Sequence, residues 1–116
     1  MGKVRGMPLL LLTVAGRKTG KEHTTPVAYF EDGSRLIVIG SAGGAPAEPQ
    51  WFRNLRESEQ AVVEIKAERV PVTVSIVRAD QHPRLWKELI AKAAFFAKYQ
   101  DKVEREIPMA ALTPAP

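Results

Sequence analysis

The segment Gly16-Arg17-Lys18-Thr19-Gly20 sets two basic side chains on a short stretch closed at both ends by glycine. Arginine offers a planar fork of donors and lysine a point charge, so the pair suits a phosphate or carboxylate. It is not a Walker loop, because the four-residue gap before Gly-Lys-Ser/Thr is absent, and a hairpin turn with its charges in solvent explains it at least as well. Trp51 and Asn54 stand one helical turn apart and can set an aromatic face and an amide beside a planar ligand, although a tryptophan so placed more often serves a core. Tyr99 carries a hydroxyl that can give a proton to a substrate or bond to backbone. Other chemistries find little support. The only histidines, His23 and His82, are far apart with no carboxylate cluster at ligand spacing, so no metal is expected. There is no cysteine and no Gly-x-Ser-x-Gly elbow, which disfavours thiol and serine hydrolase mechanisms.

Something must hold these residues in place, and 116 residues allow one domain, expected to span 1–116. Apolar residues at 45% and charged residues at 26% match a folded globular protein. The longest apolar run, residues 7–12, is too short for a membrane helix, and no leader is evident, so a chain without a transmembrane segment in the cytoplasm is expected. The net charge of +4 is uneven: no acidic residue precedes Glu22, whereas Lys3, Arg5, Arg17, Lys18 and Lys21 are basic. A one-signed end points to an anionic partner, whether phosphorylated ligand, nucleic acid or membrane surface, or else to a solvated edge.

The hydrophobic pattern supplies the elements. Residues 9–14 read as a buried strand entering the glycine turn, and 23–30 as a second strand in which Pro26 marks an edge, a bulge or a start. Asp32-Gly33 signals a hairpin into a third strand over 36–39. Residues 40–46 are too rich in glycine to pack as an element and can turn their amides to a ligand. A short helix fits 50–56 behind Pro49, and strands fit 61–65 and 70–77, the latter with period-two alternation. One long helix follows, with Asp80 as its N-cap and Leu85, Trp86, Leu89, Ile90, Ala93 and Ala94 on one side. A polar turn, a short apolar piece over 109–112 and a frayed tail over 113–116 complete the chain. Strands that follow one another without long intervening helices predict an α+β fold, mainly β: a small antiparallel barrel with one long and one short helix.

In order along the chain, five motifs resemble the deazaflavin-dependent nitroreductase family of actinobacteria. They are residues 11–20 (LLTVAGRKTG), 25–33 (TPVAYFEDG), 39–44 (IGSAGG), 49–55 (PQWFRNL), and Tyr99-Gln100 with Arg105-Glu106-Ile107-Pro108. The resemblance implies a split β-barrel related to flavin reductases and FMN-binding barrels, with reduced coenzyme F420 as hydride donor. It implies that Arg17, Lys18, Thr19 and His23 meet the phosphate and acidic tail, that Pro26, Ile39, Ser41, Ala42, Gly43 and Gly44 line the coenzyme, and that Asn54 touches it. Trp51, Phe96 and Tyr99 would border the substrate, with Tyr99 as proton donor. The implied acceptor is a small molecule, an electron-poor alkene, quinone or nitro compound, taken up by a monomer or homodimer. Relatives commonly carry a further N-terminal helical segment, and the resemblance implies that this sequence is without it and that peripheral membrane contact would run through it.

Two rivals belong to other classes. A protein that holds F420 or FMN without catalysis would share these residues, and Phe96, where some relatives have tyrosine, points that way. A basic barrel for nucleic acid would interleave aromatic and basic residues on its strands, whereas 36–39 is aliphatic and the aromatics gather near helices, so no nucleic-acid partner is expected.

Overall fold

The computed structural model describes residues 3, 4 and 6–115. Its strands are β1 (Lys3–Val4), β2 (Met7–Ala15), β3 (Glu22–Asp32), β4 (Arg35–Ile39), β5 (Gln60–Ile65), β6 (Glu68–Ile76) and β7 (Met109–Pro114). The helices are α1 (Gln50–Arg56), α2 (His82–Lys92) and α3 (Phe95–Asp101), with a single 3-10 turn at Ala42–Gly44. All pairings are antiparallel in the order β1-β2-β3-β4-β7-β6-β5, and β2 also pairs with β5. The ring therefore closes on six strands, which removes the open edges that would otherwise invite pairing with other chains.

Two apolar clusters explain why the strands sit where they do. Leu10, Leu12, Val14, Val27, Val38, Val63, Val72 and Leu112 fill the barrel with Phe52 and Leu55 of α1. Ile37, Ile39, Met109 and Ala111 point the other way, onto Leu85 and Leu89 of α2 and Phe96 of α3. Successive side chains of a strand face opposite sides, so β4 and β7 are buried on both faces and read as unbroken apolar runs, LIVI and MAAL. β6 has only its inner face covered, and there Val72 is buried while Pro71, Thr73 and Ser75 face solvent. Burial of each Leu, Ile or Phe in such clusters contributes about 1.5–3 kcal/mol.

Several expectations change in detail. The long helix is interrupted: Ala93, buried, takes φ −150° and ψ 79°, so α2 ends and α3 restarts, giving three helices rather than one long and one short. Asp80 does not cap α2; it pairs with Arg78 at 3.1 Å, and Gln81 holds the cap position without a side-chain bond. Residues 113–115 are not frayed. Thr113 pairs with Thr73, and the Ala115 N–H donates to the Pro71 carbonyl at 2.9 Å. β7 thereby stands between β4 and β6 as a central strand. Pro26 falls in the part of β3 that pairs with β2 alone, where a missing N–H is tolerated. Arg5 of the basic end and Pro116 of the tail lie outside the described residues.

Candidate functional site

β2 and β3 are joined by residues 16–21, a turn pinched by the Gly16 N–H on the Lys21 carbonyl (2.7 Å) and the Gly20 N–H on the Gly16 carbonyl (2.8 Å). Gly20 takes φ +76°, a conformation that glycine adopts at no steric cost. The turn leans on α1 through one side chain. Arg17 donates from its backbone N–H (3.1 Å) and Nη1 (2.8 Å) to Asn54 Oδ1, and from Nη2 to Gln50 Oε1 (2.9 Å). Asn54 is buried, so its amide is a fixed post rather than a mobile one. Gln50 and Asn54 are four apart and share a helix face, which is why one guanidinium reaches both.

Between turn and helix lies an open cleft of about 380 Å³, lined by Arg17, Lys18, Thr19, His23, Trp51 and Asn54 together with Gly16, Thr25 and Gln50. Trp51 is half-buried and meets the Phe52 ring edge-on at 5.5 Å, so its indole is braced by the barrel core. Lys18 and His23 are exposed, and among the described residues Lys18 has no carboxylate partner. The cleft therefore offers an aromatic wall, an arginine tethered to two amide oxygens and a free ammonium.

A second group surrounds the glycine loop. Ala42 and Gly43 are exposed at its crest, while Ser41 and Gly44 are buried. Gly44, at φ +84°, is tightly enclosed: a Cβ there would lie 3.1 Å from the Tyr99 carbonyl oxygen and 3.0 Å from Lys102 Cδ. A Cβ on Gly40 would lie 2.8 Å from the Phe52 ring, so loop, α1 and α3 are in close contact. Tyr99 is half-buried on α3, with its ring edge-on to Phe95 and Phe96 at 5.6 Å and Lys102 Nζ 5.7 Å from its centre. Neither Tyr99 nor Phe96 lines the cleft, and Phe96 and Ile39 are buried in the cluster beneath α2 and α3. Pro26 is exposed on β3 beside Thr25 of the cleft wall.

Two side chains in this region carry more than sequence reasoning gave them. Arg105 donates to the carbonyls of Gly40, Ser41, Ala45 and Ala47 at 3.1–3.4 Å. Gln100 fixes the backbone beside it, Nε2 donating to the Arg105 carbonyl (2.8 Å) and Oε1 accepting from the Ile107 N–H (2.9 Å). Downstream, Glu48 accepts from Arg56 at 2.6–3.2 Å, and those bonds hold its carboxyl below the usual carboxylate range. Gln50 had a local signal, following Pro49 at a helix start; Arg105 had none beyond its place in a motif. Among the described residues no three His, Asp or Glu side chains gather as a metal site.

A closed six-stranded barrel with α2 and α3 over one face, and a cation-rimmed cleft beside a braced tryptophan, defines a split β-barrel with a candidate ligand cleft. The F420-H2 dependent reductase FDR-A superimposes with a TM-score of 0.80 at 26% identity, over 90% of this chain and 93% of that one. The chain belongs to the F420H(2)-dependent quinone reductase family, whose model matches residues 1–114. It is 36% identical over 108 residues to the Rv3178 protein of Mycobacterium tuberculosis, covering 93% of this chain and 91% of that protein. It is 32% identical over 109 residues to Rv1261c of the same organism, an F420H(2)-dependent quinone reductase, covering 91% and 73%. Its class is accordingly that of the F420-dependent reductases, with coenzyme F420 as redox carrier.

Proposed function

We propose that this chain binds F420H2 with its acidic tail over the 16–19 turn and its ring between Trp51 and the glycine loop, and delivers reducing equivalents to a quinone. Electron-poor alkenes and nitro compounds are acceptors of the same kind. The observation that carries this reading is the cleft itself: an exposed Lys18 without a counter-ion, at the mouth of a groove walled by a half-buried indole. Its donor set fits an anionic, planar molecule. Lys18 and His23 supply charge or donors for phosphate and carboxylate, and Trp51 supplies the stacking face. No transmembrane helix is needed; among the described residues none is long and apolar enough to cross a membrane.

The coenzyme, when bound, supplies a hydride, a two-electron donor. The protein's own part is positional. Arg17, tied to Asn54 and Gln50, keeps the turn at a fixed distance from α1, so that a molecule held by Lys18 keeps its register against Trp51. Gly44 lets the loop approach the Tyr99 backbone in α3, on whose side of the loop the proposed acceptor would lie. There Tyr99 Oη gives its proton to the acceptor oxygen as that oxygen gains charge, and water restores it. One hydride and one proton convert a quinone to its hydroquinone. No acid–base cluster is required, because geometry supplies the rate.

The test is to titrate the purified protein with F420H2 and then add menadione. Binding followed by protein-dependent oxidation of the coenzyme is the expected result. Absence of both would end the assignment; tight binding with no oxidation across quinones, nitro compounds and unsaturated lactones would leave a carrier protein in its place.

A further inference from the structure

The glycine loop hangs from Arg105, and the way it hangs has a consequence for what the loop can bind. Arg105 Nη1 donates to the Gly40 carbonyl at 3.2 Å and Nη2 to the Ser41 carbonyl at 3.1 Å. Nε and Nη2 both donate to Ala45, at 3.2 and 3.1 Å. No carboxylate stands within ion-pair distance of this guanidinium among the described residues; its hydrogen bonds go to backbone oxygens, and its charge reaches the Glu48 carboxylate only through space. In a trans peptide the C=O and the N–H of the same plane point in opposite directions. Drawing the carbonyls of Gly40 and Ser41 toward Arg105 therefore turns the N–H groups of Ser41 and Ala42 away from it. No hydrogen bond described within the protein takes either N–H, whereas the N–H groups of Gly44 and Ala45 close the 3-10 turn on Ser41 and Ala42. Two adjacent free donors, backed by a cation, make a receptor for an electron-rich oxygen.

We infer that Arg105 is a positioning residue that presents the Ser41 and Ala42 N–H groups as paired donors to an electron-rich oxygen of the coenzyme. Gln100 is the strut that keeps it there, through its bonds on either side of Arg105. The same strut lies next to Tyr99 in α3, so the loop's paired donors and Tyr99 are referred to one piece of backbone. This rests on the proposed binding of F420H2 along the loop and adds to it a residue that touches no ligand.

Arg105→Lys and Arg105→Ala test it, with three measurements on each: melting temperature, F420H2 affinity by fluorescence titration, and hydrogen exchange of residues 41–44 without coenzyme. Lysine keeps the charge but cannot span several carbonyls at once. Arg105→Lys is expected to fold, to speed exchange at 41–44, and to weaken coenzyme binding about tenfold, equivalent to the loss of one or two hydrogen bonds, while the acceptor KM changes less than about twofold. Arg105→Lys should lose coenzyme affinity at an unchanged melting temperature, a split that a purely structural role would not produce. Wild-type protein that binds no F420H2 would overturn the functional reading and this inference with it. Wild-type binding with undiminished affinity in Arg105→Lys would overturn the role of Arg105 alone.

Discussion

Arg17 and Arg105 hold two loops of the same molecule, and they do so by opposite means. Arg17 belongs to the loop it secures and reaches outward to neutral side-chain oxygens of α1, Asn54 Oδ1 and Gln50 Oε1. Arg105 belongs to the connection between α3 and β7 and reaches inward to the backbone oxygens of a loop some 60 residues earlier. The first arrangement leaves Lys18, the cation beside it in the turn, free. The second leaves the loop's crest free. In both, the guanidinium is anchored by protein acceptors, Arg105 through all three nitrogens and Arg17 through one N–H on each terminal nitrogen, so each first fixes a loop. An arginine in a basic motif can thus be scaffolding for a neighbouring lysine, a distinction that charge counting cannot make.

Four substitutions sharpen this contrast. Gly40→Ala should have the largest effect, because its Cβ would lie 2.8 Å from the fully buried Phe52 ring at the base of the Arg105-bound loop. Overpacking there costs about 2 kcal/mol, read as a lower denaturation midpoint, with weaker coenzyme binding. Asn54→Ala removes the shared acceptor of the Arg17 N–H and Nη1. A loss of about 1–2 kcal/mol is expected, less than for a fully buried pair because water reaches Arg17, and the turn's coenzyme affinity should fall with it.

Lys18→Ala should leave the melting temperature unchanged while weakening F420H2 binding about tenfold at low salt, and the deficit should shrink as ionic strength rises. If Arg17→Ala and Lys18→Ala prove indistinguishable in melting temperature, the division of labour drawn here is wrong. Smallest is Asp32→Asn, a control far from both loops. Asp32 accepts from Arg84 and Arg35, bonds that lower its carboxyl to about 2. A depressed carboxyl contributes stability that is complete above the ordinary carboxylate range near pH 4 and is lost as pH falls through about 2. The variant should lose about 1 kcal/mol at neutral pH, given the exposure of Arg84, and should match the wild type below pH 2 in urea titrations.

Much of the barrel was legible because strands with one wet face alternate, as in Val70, Val72, Val74 and Ile76, and because Gly33 announces its hairpin. β7 was harder to rank. Its run MAAL is covered on both faces, so the period-two signal vanishes where the strand is most central. The break at Ala93 was invisible because Ala is the best helix former; tertiary packing of Phe96 and Tyr99 overrides its propensity. At the site, the residue types around the cleft were readable from local motifs. Their partners were not: the bonds from Arg17 to Asn54 and from Arg105 to Gly40 span 37 and 65 residues, and nothing local encodes such distances.

Hydrogen exchange with and without F420H2 tests the central claim most directly, since it reports where the coenzyme lies whatever acceptor follows. Protection is expected at residues 16–19 and 41–42, with little change at the β5–β6 turn, which lies at the opposite end of β2. Protection absent from the 16–19 turn, or concentrated on the groove lined by Leu36, Val63 and Val70, would contradict the account.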